Sequence, residues 1–412
     1  MVRPLGWALT AHLCLCLVAY LGLLPTALVM DAAGHKYQWL AQLAGALVGA
    51  VGIAFGWVGG SVHNAYGRFG WFMVCLLAAQ TALNLALTLG TVGGKRAQWV
   101  YRGVGWAQLG ATYVAMVLSA ITFLNLCSYT KMGQCVSHFA RGSMMVLAAA
   151  LLLVLMRLLG AAMVPLRRPV EAYLSLIMMA VGLFGALTEH NFLQPAKDQT
   201  DGWTHKDLQH TMIGILWLSA GLLGVTMTWR SHPRSRSVVP AITFATTGIA
   251  MIIHPQDLAM SSHVHFLFGA SLVCYGICAV CEITLLGART IPDHAEPAPL
   301  QYVTVLFLCA SGMALMGANR DMVLLLINSG LDPATYALIL LSCAFVAMLY
   351  CYVLVDLYRA LAAPNDTAKY QPLAADQHPA LNVQQRTSES SQTSTLSQPA
   401  TTAGLSPASF NV

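Results

Sequence analysis

The sequence predicts an all-α integral membrane protein of about eleven transmembrane helices followed by a disordered C-terminal tail. Three observations predict it. Of the 412 residues 57% are hydrophobic and only 9% charged, far below the quarter charged of an ordinary soluble domain. Apolar runs of about 17–28 residues, enough to cross a hydrocarbon core of about 30 Å, recur along almost the whole chain. The last stretch then changes composition abruptly.

The runs fall near 5–30, 37–60, 70–93, 105–128, 139–164, 169–192, 209–229, 238–254, 264–288, 300–327 and 334–361. The eighth is short. The first has the apolar character of a signal sequence, but from Leu5 to Met30 it is long and lacks a clean small-x-small cleavage site, which favours a retained helix. From Pro364 to Val412 the chain is rich in Ser, Thr, Gln, Pro and Ala, too poor in large apolar groups to offset the entropy of ordering. The expected organisation is a five-helix region over 1–165, a six-helix region over 166–362 and a cytoplasmic tail over 363–412.

Basic residues orient the helices. Lys95-Arg96, Arg167-Arg168 and Arg230/Arg234/Arg236 lie in short loops on one side of an eleven-span arrangement, and the positive-inside bias makes that side cytoplasmic. The N-terminus is then outside and the tail inside, where it is available to cytosolic partners. The net charge of +5 follows from this topology, with a lipid bilayer as the partner and no nucleic acid implied.

Four histidines are each followed by glycine four residues on: His63/Gly67, His138/Gly142, His210/Gly214 and His265/Gly269. This spacing puts both residues on one helix face, an imidazole beside a gap. It is equally the spacing of ordinary helix packing. With His12, the four occupy the outer ends of odd-numbered spans, and ionisable groups there mark a functional region. In the segment from Thr204 to His210, Asp207 sits three residues before His210 and is placed to orient it. His263 and His265 diverge by about 200° on a helix, so one of them points inward, and the glycine register favours His265. Ser137-His138-Phe139-x-x-Gly142-Ser143 is echoed by His265-Phe266-x-x-Gly269-Ala270-Ser271.

No tight His-x3-His pair is present, and the one Cys-x2-Cys spacing, Cys278 with Cys281, falls with Cys274 inside the ninth apolar run, where the three read as packing residues, so a metal site has to be assembled between helices. His205, Asp207, His210 and His265 are the candidate ligands for a divalent transition metal. Cys127 and Cys135, eight apart in an expected outer loop, are a candidate disulfide. No nucleotide-binding glycine loop, nucleophile elbow or catalytic triad is visible, so whether the protein is an enzyme stays open. A metal or haem site, a cation- or proton-coupled transporter, and a structural or sensing protein without turnover remain the function classes. For the transporter, Glu282 is either a proton or cation step or a residue snorkelling from a helix end.

The segments Trp203-Thr204-His205-Lys206-Asp207-Leu208-Gln209-His210-Thr211-Met212 and Ser262-His263-Val264-His265-Phe266-Leu267-Phe268-Gly269 resemble the fungal YTP-like family of transmembrane proteins, and the likeness covers nearly the whole chain outside the tail. That family carries no agreed activity. The resemblance implies a multi-pass protein of fungal endomembranes or the plasma membrane. The same segments faintly resemble animal epididymal-type transmembrane proteins. In the first half, Ala11-His12-Leu13, Tyr20 and Pro25 resemble the opening helix of cytochrome b-561 electron-transfer domains. That resemblance implies His12 and His63 as axial ligands of one b haem. A bis-histidine haem needs facing imidazoles with small residues beside them, and His12, His63, His138, His210 and His265 with the neighbouring glycines supply that kind of lining. The chain departs from the pattern in lacking histidine between Tyr37 and Gly60 and in the fourth span.

Overall fold

The computed structural model describes residues 6–60, 64–128, 132–160, 166–190, 202–232, 235–286 and 295–366. These residues are helical apart from short connections. The helices are α1 Trp7–Ala32, α2 Gln38–Val58, α3 Ala65–Thr88, α4 Lys95–Phe123, α5 Met132–Leu159, α6 Val170–Thr188, α7 His205–Thr228, α8 Val239–Ile252, α9 Ala259–Leu285, α10 Pro299–Gly317, α11 Arg320–Asn328 and α12 Pro333–Asp366. The first residues of the expected tail, 363–366, continue α12 as helix; the remainder of the tail, with His63 and parts of several loops, lies outside the described residues.

Ten of these helices are long and apolar enough to cross a membrane. The eleventh expected span is α8, which at 14 residues is only about 21 Å long. It nevertheless links the two ends of its neighbours. Arg236, just before it, pairs with Glu171 at the start of α6, and His254, just after it, meets His210 and His265 at the starts of α7 and α9. Short non-helical segments flank it at both ends.

Local sequence explains the irregular helices. α1 widens into a π-turn over Val18–Leu23 immediately before Pro25, whose ring and missing N–H displace the regular ladder. α7 starts on a capping box in which Thr204 Oγ1 accepts from the Asp207 N–H and Asp207 Oδ2 from the Thr204 N–H.

α1 to α4 pack together around Ala19, Tyr20, Leu24, Ala46, Met73, Leu77 and Ala111. α5 packs on α10, so by contact it groups with the helices that follow it. The larger core lies among α5 to α10, around Leu153, Met178, Trp217, Phe244, Leu272 and Leu308. Glycine makes this second bundle tight. A Cβ on Gly182 would lie 2.4 Å from the Leu218 nitrogen, and one on Gly221 2.5 Å from the Met179 nitrogen, so α6 and α7 meet backbone to backbone. The alternation of helix direction gathers the starts of α5, α7 and α9 with the ends of α6, α8 and α10 at one end of the bundle. Cys127 and Cys135 are disulfide-bonded just before His138, beside the buried Leu126 and Phe139.

Candidate histidine site

At that end four imidazoles form a continuous chain of ring contacts. His138 faces His265 at 6.3 Å between centroids, His265 faces His254 at 6.0 Å, and His254 faces His210 at 5.3 Å. Each ring turns Nδ1 toward an acceptor. His138 donates to the Gln134 carbonyl at 2.8 Å and His265 to the Ser261 carbonyl at 2.9 Å, each one helical turn back. His210 approaches Glu189 Oε2 at 3.4 Å, and His254 bonds Gln209 Oε1. A neutral imidazole that carries its proton on Nδ1 has a bare lone pair on Nε2. This is the polarity that an outer acceptor imposes on a metal-binding histidine.

His138, His210 and His265 line a cavity of about 110 Å³ whose deeper walls are apolar, with Met145, Met178 and Phe268 among them. Glu189 closes the same region, and Arg141 and His210 both engage it. Although burial works to raise the Glu189 pKa, the hydrogen bond from His210 and the charge of Arg141 bring it down to about 2. The carboxylate is therefore ionised throughout the neutral range. For His254, burial and the neighbouring His210 and His265 push the pKa down to about 4, so it is a neutral ring at neutral pH.

The structure sorts the residues expected from the sequence. His138, His210 and His265 come together; His265 is buried where His263 is exposed. His12 stands apart, in a small cavity between α1, α2 and α3. Its Nδ1 is 2.7 Å from the Gly52 carbonyl and its Nε2 2.8 Å from the Tyr66 hydroxyl. A bis-histidine haem requires a bare nitrogen on each of two facing rings. His12 as placed has none to offer, and His63 lies outside the described residues, so His12 does not fit the haem ligand implied by the cytochrome likeness.

The expected metal quartet is also redrawn. His205 is exposed on the first turn of α7. Asp207 caps that helix and pairs with His190 at 3.3 Å rather than orienting His210, because the cap holds its carboxylate back over the helix start. Glu189 takes the role expected of Asp207. His254, Glu189 and Arg141 are the members that spacing alone missed; His254 belongs to no glycine pair.

Three of the four paired glycines accommodate neighbouring helices rather than a ligand. A Cβ on Gly142 would meet the Gly312 carbonyl at 2.7 Å, on Gly214 the Ala186 nitrogen at 2.6 Å, and on Gly269 the Gly248 carbonyl at 2.4 Å. Close helix approach at these points brings the rings a turn away within reach of one another. The echo between the His138 and His265 segments is thus a repeated structural unit, with the same carbonyl bond one turn back and the same glycine contact one turn on.

The description "Protein YTP1-like, C-terminal" matches residues 111–359, which contain the entire histidine chain. The chain belongs to the YTP1-like family. A domain of unknown function, DUF2427, matches residues 2–90. Among curated proteins, the chain is 29% identical over 280 residues to Protein YTP1 of Saccharomyces cerevisiae, covering 67% of this chain and 58% of that protein. It is 27% identical over 189 residues to an uncharacterized membrane protein of Schizosaccharomyces pombe, covering 39% of this chain and 35% of that one. The chain thus spans 58% and 35% of the lengths of these curated relatives. No solved structure matches. The protein is an integral multi-pass membrane protein, as the helices and the relative's name agree.

Proposed function

We propose that the histidine chain binds a divalent transition-metal cation of the zinc or copper class, entering from the outer face, with the N-terminus outside and the C-terminus cytoplasmic. The observation that carries this is the shared orientation of four buried or half-buried rings, each with Nδ1 committed to an acceptor and Nε2 free for a ligand. Imidazole suits zinc and copper, and nearby Met145 and Met251 add the soft thioethers that suit reduced copper.

Two imidazoles on one tetrahedral zinc, at Zn–N of about 2.0–2.1 Å, hold their centroids about 5 Å apart. His210 and His254, at 5.3 Å, already have that separation. His265 and His138 stand about 1 Å further off, and among the described residues no three ligand-type side chains converge on one point. Binding therefore draws His265 in, a movement that the cavity has room for. Glu189, held by Arg141, engages His210 at Nδ1 and leaves its Nε2 to the metal.

Calorimetric titration of the purified full-length protein with zinc tests the reading. Saturable binding weakened about 10–100-fold by His210→Ala or His265→Ala is the expected result, the range seen when groups supporting a metal site are removed. A flat isotherm for the wild type, or equal affinity in both variants, overturns it.

A further inference from the structure

The opposite end of the same bundle carries a second polar centre. Glu171 at the start of α6, Arg236 before α8 and Glu282 late in α9 converge there. Arg236 Nε bonds Glu171 Oε1 at 2.5 Å, Arg236 reaches Glu282 Oε1 at 3.0 Å, and Gln301 of α10 donates to the same Glu282 oxygen at 3.3 Å. Glu282 is therefore buried and bonded, not snorkelling from a helix end. Two carboxylates and one guanidinium leave one negative charge uncompensated.

That charge has a definite location. Glu171 is only 4% exposed, and its Oε2 makes no hydrogen bond although it lines a cavity of about 50 Å³, room for more than one water molecule. A buried, unpaired carboxylate oxygen costs several kcal/mol unless it is neutralised. Gln301 and Arg236 are committed to Glu282 and to Glu171 Oε1, and Tyr275 stands nearby on α9, while α5 offers only the apolar Leu152 and Met156. The cheapest neutralising partner is a proton.

The two cavities nearly meet. Leu174, one turn along α6 from Glu171, lines both. Beside it Phe244, which lines the histidine cavity, packs edge-on against Tyr275, which lines the other, at 5.0 Å.

We infer that Glu171 Oε2 is a proton-binding site served from the face opposite the histidines, and that its occupancy is coupled through Leu174 to cation binding at the other end. The step is the protonation of a carboxylate, the proton coming from water on that face. The coupled part rests on the proposed cation site; the proton site does not.

Infrared difference spectroscopy of the reconstituted full-length protein, titrated between about pH 5 and 9, reads the carboxylic C=O band directly. One deuterium-sensitive band should titrate in the wild type and vanish in Glu171→Gln. It should vanish as well in Glu282→Gln, where Arg236 and Glu171 form a neutral pair; this second variant serves if the first does not fold. A band that survives both substitutions, or the absence of any titrating band in the wild type, overturns the proton site. Saturating zinc should move the midpoint of the band by about tenfold in proton concentration. An unmoved midpoint removes the coupling. A flat zinc isotherm with an intact band removes the cation site and the coupling, and leaves Glu171 as the proton site.

Discussion

The first four helices and the helices from α5 to α10 bury polar groups in opposite ways. In the first region the buried polar side chains are mainly amides. Gln42 and Gln108 leave both the oxygen and the nitrogen of their amides without partners, and Gln80 and Asn84 leave their oxygens so; Asp31 with Arg102 is the ionic pair among them, at 2.7 Å. In the second, imidazoles and ion pairs segregate to the two ends, with an apolar core between. Packing differs too. Gly70, Gly103 and Gly110 of the first region face open space and Gly45, Gly56 and Gly105 lie against side chains, whereas Gly182, Gly214, Gly221, Gly248, Gly269 and Gly276 of α6 to α9 lie against neighbouring backbones. Half of the most apolar stretch of α9 and 61% of that of α10 are buried, against 22% for α3 and α4. Rigid backbone contact holds ionisable groups at fixed separations, and it is the second region that has both.

The largest test of this contrast removes a charge. Arg141→Met strands the buried Glu189 carboxylate and should cost about 3–5 kcal/mol of stability in a detergent melt. Adding Glu189→Gln should recover most of the loss, and a double variant no better than the single would show that Arg141 acts through packing. Next, Gly182→Val drives a branched side chain into the α7 backbone and should cost about 3 kcal/mol, the upper end of overpacking, while Gly110→Ala should stay within about 0.5 kcal/mol. Equal effects would erase the packing difference.

A smaller effect divides the histidines. His12→Ala should leave zinc affinity within about twofold of wild type, set against the 10–100-fold loss expected of His210→Ala; a comparable loss would join the two regions into one site. The smallest concerns pH. The pKa of His254 is lowered to about 4 in the fold, below the usual imidazole value, so the unfolded chain binds the extra proton between about pH 6.5 and 4. Its contribution is complete above that window and is lost as pH falls through it. His254→Gln should flatten the decline in melting temperature over that range, and a slope unchanged by the substitution would place the titration elsewhere.

Much of this architecture was readable in the chain. The spans follow from apolar length alone, because a bilayer leaves a helix few alternatives, and the short eighth run anticipated the short α8. The inward choice of His265 over His263 followed from helical periodicity together with the register of Gly269. The partners did not follow. Asp207 lay at the right spacing from His210 and was taken by the helix cap, while Glu189, twenty-one residues from His210, came to it across a glycine-lined helix contact.

The sequence by itself determined the class of molecule, the number of times it runs from end to end, and the concentration of histidines toward one end, since these depend on composition and on the one-dimensional period of a helix. Only the tertiary structure decided that His12 stands apart, that His254 joins the others, and that Glu171, Arg236 and Glu282 meet at the far end. Those choices are made by which backbones approach within a glycine's reach. Helical spacing reports the face a residue occupies but not the helix that comes to lie against it.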